Sequence, residues 1–173
     1  MFRLDMKLLK TIKDKDLGDD FKIREASRGV LLDENNLVPI LFVSTQNYHK
    51  LPGGGIEKGE NKVQALKREI KEEVGCTIED EKEIGKIIEY RDFFPDYKLK
   101  QTSYCYLGKI VSKGKQELEQ GEIDEGFELK WLTLEQAIKT LETDSPKNYE
   151  GKFIQERDLT FLKEAKMIIF NKK

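Results

Sequence analysis

The sequence has little cysteine, little histidine and no long hydrophobic run, and each scarcity excludes a class of protein. Its 173 residues include two cysteines, Cys76 and Cys105, and a single histidine, His49. The cysteines lack the paired spacing of a zinc site, so we expect reduced thiols in a protein core. Without a long apolar run or a signal-peptide core, the sequence predicts no membrane segment and favours a cytoplasmic location.

An excess of charge of either sign is also absent. The chain has 31 Lys and Arg residues against 33 Asp and Glu residues, a formal net charge of −2. No bulk positive charge indicates a nucleic-acid partner, although a local basic groove stays compatible with this balance. The length suits one core, and no repeat or linker divides it. We therefore expect a single domain over residues 1–173.

The most informative stretch of the sequence begins at Leu51 and ends at Cys76. A glycine-rich turn precedes a segment that predicts a helix over residues 61–74, because its apolar residues recur at helical spacing. These residues form one face, while three acidic residues form another. The apolar face consists of Val63, Leu66, Ile70 and Val74, and the acidic face of Glu69, Glu72 and Glu73.

The acidic face opposes the rules of helix stability. Glu69 lies three and four positions before Glu72 and Glu73, and each such like-charge pair costs about 0.2–0.5 kcal/mol. Glu72 and Glu73 also lie in the last turn, where the helix dipole disfavours negative charge. A charged run can simply be a solvated surface. A bound divalent cation would reverse both penalties, and hard carboxylate oxygens suit Mg²⁺ or Mn²⁺.

The same stretch resembles the signature of the MutT/Nudix hydrolases, G-x5-E-x7-R-E-U-x-E-E-x-G-U, where U is a bulky aliphatic residue. Its single departure is a cysteine at the last position, which should affect packing and leave the chemistry unchanged. The matching residues are Gly54, Glu60, Arg68, Glu69, Ile70, Glu72, Glu73 and Gly75, followed by Cys76.

The resemblance implies a fold, an activity and a cofactor. The fold is the α/β Nudix fold, in which a mixed sheet and a smaller antiparallel sheet lie between helices and a loop–helix–loop carries catalysis. The activity is Mg²⁺-dependent hydrolysis, with Mn²⁺ as a substitute, of a nucleoside diphosphate linked to a further group X. The partner is then a small nucleotide. Many members of the family dimerise, so a homodimer stays open.

The resemblance also assigns roles to residues. Glu69, Glu72 and Glu73 are the expected metal ligands, together with the backbone carbonyl of Gly54. Arg68 orients them and pairs with Glu60. The catalytic set is expected to comprise these acids, Arg68 and one later acid; the general base is either a helix glutamate or that later acid.

We take the later acid to be Glu125, with Glu122 as second choice, from an acidic loop over residues 114–126. Gly53, Gly54 and Gly55 are expected to provide unusual backbone angles in the catalytic loop, and Gly75 to end the helix. Glu60 is also a candidate for the first residue of the helix.

Two arginines are candidate substrate ligands. Arg24 and Arg28 lie at the head of a predicted strand, where they are either surface charges or contacts to a substrate phosphate or base. The proposed chemistry needs no imidazole, so His49 receives no catalytic role. Several aromatic residues suit packing more than base stacking: Phe93, Phe94, Tyr97, Tyr104 and Tyr106.

Hydrophobic periodicity predicts the remaining elements. Strands are expected over residues 6–12, 24–32, 37–43, 83–91, 98–111 and 127–132. A polar turn at 33–36 would join the second and third strands in a hairpin, with Pro39 at an edge or bulge, and residues 93–96 would form another turn. Helices are expected over 134–141, with Thr133 and Gln136 as a capping box, and over 154–170.

The substrate stays open. The sequence lacks the added motifs of coenzyme A and NADH hydrolases, which leaves a nucleoside triphosphate, possibly oxidised, or an ADP-ribose type compound. The alternatives are an RNA 5′-pyrophosphohydrolase and a non-catalytic nucleotide-binding sensor. An isopentenyl-diphosphate isomerase would need a catalytic cysteine motif, which neither cysteine has.

Overall fold

A computed structural model describes residues 5–171, which form eight strands and four helices. The strands are β1 (Leu8–Ile12), β2 (Lys22–Leu32), β3 (Leu37–Val43), β4 (Tyr48–Lys50), β5 (Gly53–Gly55), β6 (Cys76–Phe93), β7 (Tyr97–Lys113) and β8 (Phe127–Thr133). The helices are α1 (Lys62–Val74), α2 (Gln120–Asp124), α3 (Leu134–Thr143) and α4 (Tyr149–Phe170). The predicted single domain also includes residues 1–4 and 172–173, which lie outside the described residues, and it stays a prediction.

Two sheets organise the fold. The larger sheet has the order β1-β6-β7-β2-β5, in which β1 runs parallel to β6 and β2 parallel to β7, while β6–β7 and β2–β5 are antiparallel. The smaller sheet has the order β4-β3-β8 and is antiparallel throughout. The expected pair of one mixed and one small antiparallel sheet is therefore confirmed.

Helices cover the sheets and divide the core into two parts. Helix α1 packs against β2, β5 and β6, whereas α3 packs on the smaller sheet and α4 packs on α3 and on strands of both sheets. Successive residues of a strand face opposite sides, so Val30 joins the core beneath α3 and α4 and Leu31 joins the core beneath α1. Cys105 and Cys76 are buried free thiols in these two cores, as expected.

The predicted hairpin between the second and third strands is wrong. Strand β2 pairs with β5 and β7, and β3 pairs with β4 and β8, so the intervening turn passes the chain from one sheet to the other. The side chain of Asp33 holds this turn by accepting hydrogen bonds from the N–H groups of Asn35 and Leu37, at 2.9 and 2.8 Å. Pro39 is paired with β8 on one side of β3 only, because β4 pairs with β3 further along, at Leu41–Val43. A position with one strand partner suits a residue that has no N–H group to donate.

Several predicted elements also differ from the structure, most clearly β6, the loop over 114–126 and α4. Strand β6 begins at Cys76 instead of residue 83, because irregular register between Glu79 and Gly85 breaks the alternation that marks a strand. The polar loop over 114–126 contains the short helix α2. Helix α4 begins at Tyr149, five residues early, where the Asn148 side chain accepts a hydrogen bond from Gly151 N–H. Within residues 5–171, no helix combines the length and apolarity needed to cross a membrane.

Candidate active site

Helix α1 carries the acidic residues and has well-defined ends. Asn61 caps its N-terminus in a reciprocal capping box with Gln64, so Asn61 is the opening residue and Glu60 is not. Gly75 ends the helix in the left-handed conformation, with φ of 75°, which glycine adopts without strain. This geometry turns the apolar face toward the core and places Glu69 and Glu73 beside the glycine loop.

Three carboxylates converge beside the glycine loop. Oxygens of Glu69, Glu73 and Glu122 all lie within 4.8 Å of one another. Glu73 is almost fully buried, and its carboxylate accepts a hydrogen bond of 2.8 Å from Gly53 N–H. Burial raises the pKa of Glu73 to about 7, although Lys50 and the Gly53 N–H act in the opposite direction. A cation between these carboxylates would compensate their mutual repulsion, and an all-carboxylate donor set fits a hard divalent ion.

The loop acid that joins this group is Glu122, the second choice of the sequence analysis. Its carboxylate accepts a hydrogen bond of 2.9 Å from Glu119 N–H, which anchors it at the start of α2. Glu125 is exposed and lines the same cavity, but it is outside the group of converging oxygens. Its role as a ligand or base stays a prediction.

Glu72, which directly precedes Glu73 on α1, is half-buried and also lies outside the converging group. Its nearest cation is the Arg68 guanidinium, at 3.4 Å. Burial and the neighbouring Glu69 carboxylate raise the pKa of Glu72. Glu72 therefore adds negative charge beside the group, and its role as a metal ligand stays a prediction.

Arg68 connects the helix to the loop, as the resemblance implied. Its guanidinium donates to both Glu60 oxygens, at 2.7 and 3.0 Å, and to the Gly55 carbonyl at 2.9 Å. It also donates to Glu69 at 2.8 Å. The hydrogen bond from Arg68 is the main cause of the lowered pKa of Glu60. One side chain thus fixes the distance between the loop and the acidic face.

The glycines of the loop permit close approach. Gly53 has φ of 138°, and a Cβ there would lie 2.2 Å from the Ser27 carbonyl oxygen. A Cβ on Gly54 would lie 2.4 Å from the Glu69 carboxylate, so a side chain at this position would occupy the space of the acidic group. Gly55 pairs with Ala26 at the edge of the larger sheet. Metal ligation by the Gly54 carbonyl stays a prediction.

Both candidate substrate arginines line the cavity that contains the acidic group. Arg28 is buried, with 4% of its surface exposed, and donates to the Gly53 carbonyl at 3.2 Å. Burial and the charge of Arg157 lower the pKa of Arg28 to about 10, so it stays protonated at neutral pH. Arg24 is exposed and donates to the Gln101 side chain at 2.6 Å.

Sequence reasoning missed a buried ionic network behind these arginines. Arg91 donates to Glu89 at 2.7 Å, and Arg157 donates to the other Glu89 oxygen at 3.2 Å and to Asp158 at 2.7 Å. Arg91 and Arg157 line the cavity. One sequence signal for this network was available. Arg157 and Asp158 are two adjacent charged residues within the predicted last helix, which was expected to face the core.

The remaining candidates lie away from the acidic group. The sole histidine, His49, contacts Asp144 at 2.9 Å and stacks on Phe42, so it serves a structural contact between β4 and the end of α3. Tyr104 and Tyr106 pack in the core beneath α1 as expected, whereas Phe94 is 86% exposed at the β6–β7 turn.

The site is thus a cavity of about 490 Å³ with carboxylates and guanidiniums on its walls. Comparison with known proteins agrees with this arrangement, because the model of the NUDIX domain matches residues 23–152. The chain belongs to the Nudix family. The resemblance read from the sequence is confirmed, and so is the Nudix fold. Members of this family typically use a divalent metal, and the acidic group supplies a suitable place for one.

Individual relatives of this Nudix protein match it at different levels. A stretch of 67 residues is 45% identical to an RNA pyrophosphohydrolase of Campylobacter jejuni subsp. doylei and covers 39% of this chain; the match spans only 35% of that relative. A MutT Nudix hydrolase structure from Burkholderia pseudomallei has a TM-score of 0.52 at 17% identity, covering 79% of this chain and 98% of its own. A Nudix hydrolase structure from Nitrosomonas europaea has a TM-score of 0.53 at 16% identity, covering 79% of this chain and 88% of its own. At these identities the two structures show the fold alone.

Proposed function

We propose that this Nudix protein is a Mg²⁺-dependent pyrophosphohydrolase of nucleoside diphosphates linked to a group X. Its products are a nucleoside monophosphate and X-phosphate, or a monophosphate and pyrophosphate when the substrate is a triphosphate. The observation that carries this proposal is the convergence of Glu69, Glu73 and Glu122 in the same cavity as a set of arginines. Carboxylates suit a cation, and guanidiniums suit phosphate oxygens.

In the reaction, water attacks one phosphorus atom, the bond to the bridging oxygen breaks, and the proton lost by water passes to a carboxylate. When bound there, a divalent cation would supply charge neutralisation for the phosphates and would make water more acidic. Glu69, Glu73 and Glu122 would hold it, with Glu72 and Glu125 as further candidates. Arg68 keeps the acids in position through Glu60 and the Gly55 carbonyl.

We propose that Arg24 and Arg28 bind phosphate oxygens of the substrate. Both line the cavity, and Arg28 shares Gly53 with the acidic group, because Gly53 N–H donates to Glu73 while its carbonyl accepts from Arg28. A diphosphate bound at the acidic group is then within reach of the Arg28 side chain. The proton acceptor is one of the glutamates of this site.

The direct test is hydrolysis of a substrate panel with Mg²⁺: nucleoside triphosphates, oxidised forms of them, ADP-ribose and 5′-triphosphorylated RNA. We expect at least one to be hydrolysed, and Glu69→Gln to reduce that rate about 100-fold or more, since it removes a charge from the metal site. Lys71→Gln, an exposed residue of the same helix, is the control. Absence of hydrolysis across the panel would overturn the proposal, and binding without turnover would favour a nucleotide sensor.

A second candidate is an RNA 5′-pyrophosphohydrolase. The 67-residue similarity to a protein of that name favours it. Both candidates use the same site and differ in the group attached to the phosphate chain, which is RNA in one case and a single nucleoside in the other. Faster hydrolysis of triphosphorylated RNA than of the matching free nucleotide would select the RNA activity.

A further inference from the structure

Beside the acidic group, the cavity presents a wall of four guanidiniums, from Arg24, Arg28, Arg91 and Arg157. We propose that this wall binds a terminal phosphate chain, so that the substrate ends in a free polyphosphate and is not a sugar-linked diphosphate such as ADP-ribose. This inference rests on the proposed function and specifies its substrate class.

Two of the four guanidiniums are compensated within the protein. Arg91 forms ion pairs with Glu89 and Glu150, both at 2.7 Å. Arg157, which is fully buried, forms ion pairs with Glu89 at 3.2 Å and with Asp158 at 2.7 Å. These ion pairs compensate the charges of Arg91 and Arg157, so the two side chains support the wall and leave little charge for a ligand.

The other two guanidiniums have neutral partners. Arg24 donates to the amide oxygen of Gln101 and Arg28 to the backbone carbonyl of Gly53. Among the described residues, no ion pair within 4.0 Å includes either one. The Nε atom of Arg28 is buried and has no hydrogen-bond partner. A buried guanidinium without a direct ion-pair partner is costly for the fold, so the position of Arg28 favours an anionic ligand.

The position of Arg28 places that anion next to the acidic group. The peptide of Gly53 contacts both sites, since its N–H donates to Glu73 and its carbonyl accepts from Arg28. Arg24 lies beside Gly55, two residues further along the same loop: a Cβ on Gly55 would be 3.2 Å from the Nη2 atom of Arg24. A phosphate chain that begins at the acidic group therefore meets Arg28 and Arg24 along its length.

Alternative occupants of the wall fit it poorly. A neutral sugar or base would leave Arg24 and Arg28 without a direct ion-pair partner. The aromatic rings lining the cavity are Tyr48, which is 4% exposed, and Phe127, whose ring has the Lys50 ammonium 4.7 Å from its centre. A terminal phosphate, by contrast, adds about 1.5 to 2 negative charges and three acceptor oxygens.

The test measures binding without turnover. The protein in EDTA is titrated calorimetrically with inorganic tripolyphosphate and, separately, with ADP-ribose. We expect tripolyphosphate to bind about 10-fold tighter or more, and Arg24→Gln to remove most of that advantage, since it deletes a charge-assisted contact. Lys22→Gln is the matched control: it removes one exposed charge two residues earlier on the same strand, outside the cavity. It should change affinity less than about two-fold.

Arg28→Lys supplies a second variant, which keeps the charge and loses the fork geometry, with circular dichroism to verify its fold. Equal binding of ADP-ribose and tripolyphosphate, an unchanged affinity in Arg24→Gln, or no binding of either ligand would each overturn the inference. Titrations with ATP and a short 5′-triphosphorylated RNA, each against its monophosphate, identify the source of the chain. Because no metal is present, a failure of hydrolysis with Mg²⁺ would overturn the proposed function and leave this inference standing.

Discussion

Arg68 and Glu60 form a bidentate pair across the catalytic loop, with nitrogen–oxygen distances of 2.7 and 3.0 Å. Glu60 precedes α1 and Arg68 lies two turns into it, so the pair closes the loop onto the helix. The same guanidinium reaches the Gly55 carbonyl and the Glu69 carboxylate. The position of Glu69 relative to the glycines therefore depends on a single planar side chain.

Replacing Arg68 by lysine keeps the charge and removes the fork, because an ammonium cannot hold Glu60, Gly55 and Glu69 at once. We expect Arg68→Lys to lower the free energy of unfolding by about 1–3 kcal/mol and to weaken Mg²⁺ binding. Urea unfolding and calorimetry measure the two effects. The control is Lys67→Gln, which removes an ion pair with Glu81 on the outside of the helix and should cost less than about 1 kcal/mol. Equal effects of both variants would contradict this role of Arg68.

Glu122 and Glu125 offer a direct comparison within one loop. Glu122→Gln removes a charge from the converging oxygens, while its amide oxygen can still accept from Glu119 N–H. We expect Mg²⁺ affinity to fall about 10–100-fold and to fall less in Glu125→Gln. Asp124→Asn, an exposed neighbour, controls for the loss of a charge. A larger effect from Glu125→Gln would assign the later acid as the sequence analysis first did.

Asp33 makes the stability of the inter-sheet turn depend on pH. Burial alone would raise the pKa of Asp33, but hydrogen bonds from Lys113, Leu37 N–H and Asn35 N–H outweigh it and lower the pKa. A lowered folded-state pKa gives stability that is present at neutral pH and lost as the pH falls below about 4. Asp33→Asn should therefore be less stable than wild type by about 1 kcal/mol at pH 7, with the difference shrinking at pH 3. If urea unfolding gave the same difference in unfolding free energy between wild type and Asp33→Asn at pH 7 and at pH 3, this prediction would be contradicted.

Sequence reasoning was most successful where the structure is determined locally. The bounds of α1 and its termination at Gly75 follow from spacing along one helix, and the Arg68–Glu60 pair, which the family resemblance implied, lies in the same short stretch. The capping box of Thr133 and Gln136 is another local feature, and it is confirmed. Family membership could be read from the same stretch, because its fixed positions are close in sequence.

The parts that sequence reasoning missed depend on distant contacts. Arg91 and Arg157 meet through Glu89, and nothing in the pattern of β6 or α4 indicates that they share a carboxylate. The choice between Glu122 and Glu125 depended on the short helix α2, whose polar sequence resembles a loop. The hairpin prediction failed because the turn at Asp33 is compatible with either pairing, and the sheets on both sides decide between them.

The central claim is that Glu69, Glu73 and Glu122 hold a divalent cation. The most direct measurement is anomalous diffraction from crystals soaked in Mn²⁺. We predict an anomalous peak within about 2–2.6 Å of carboxylate oxygens from these residues, and its loss in crystals of Glu69→Gln. Ordered crystals with no Mn²⁺ peak beside these three carboxylates would contradict the claim.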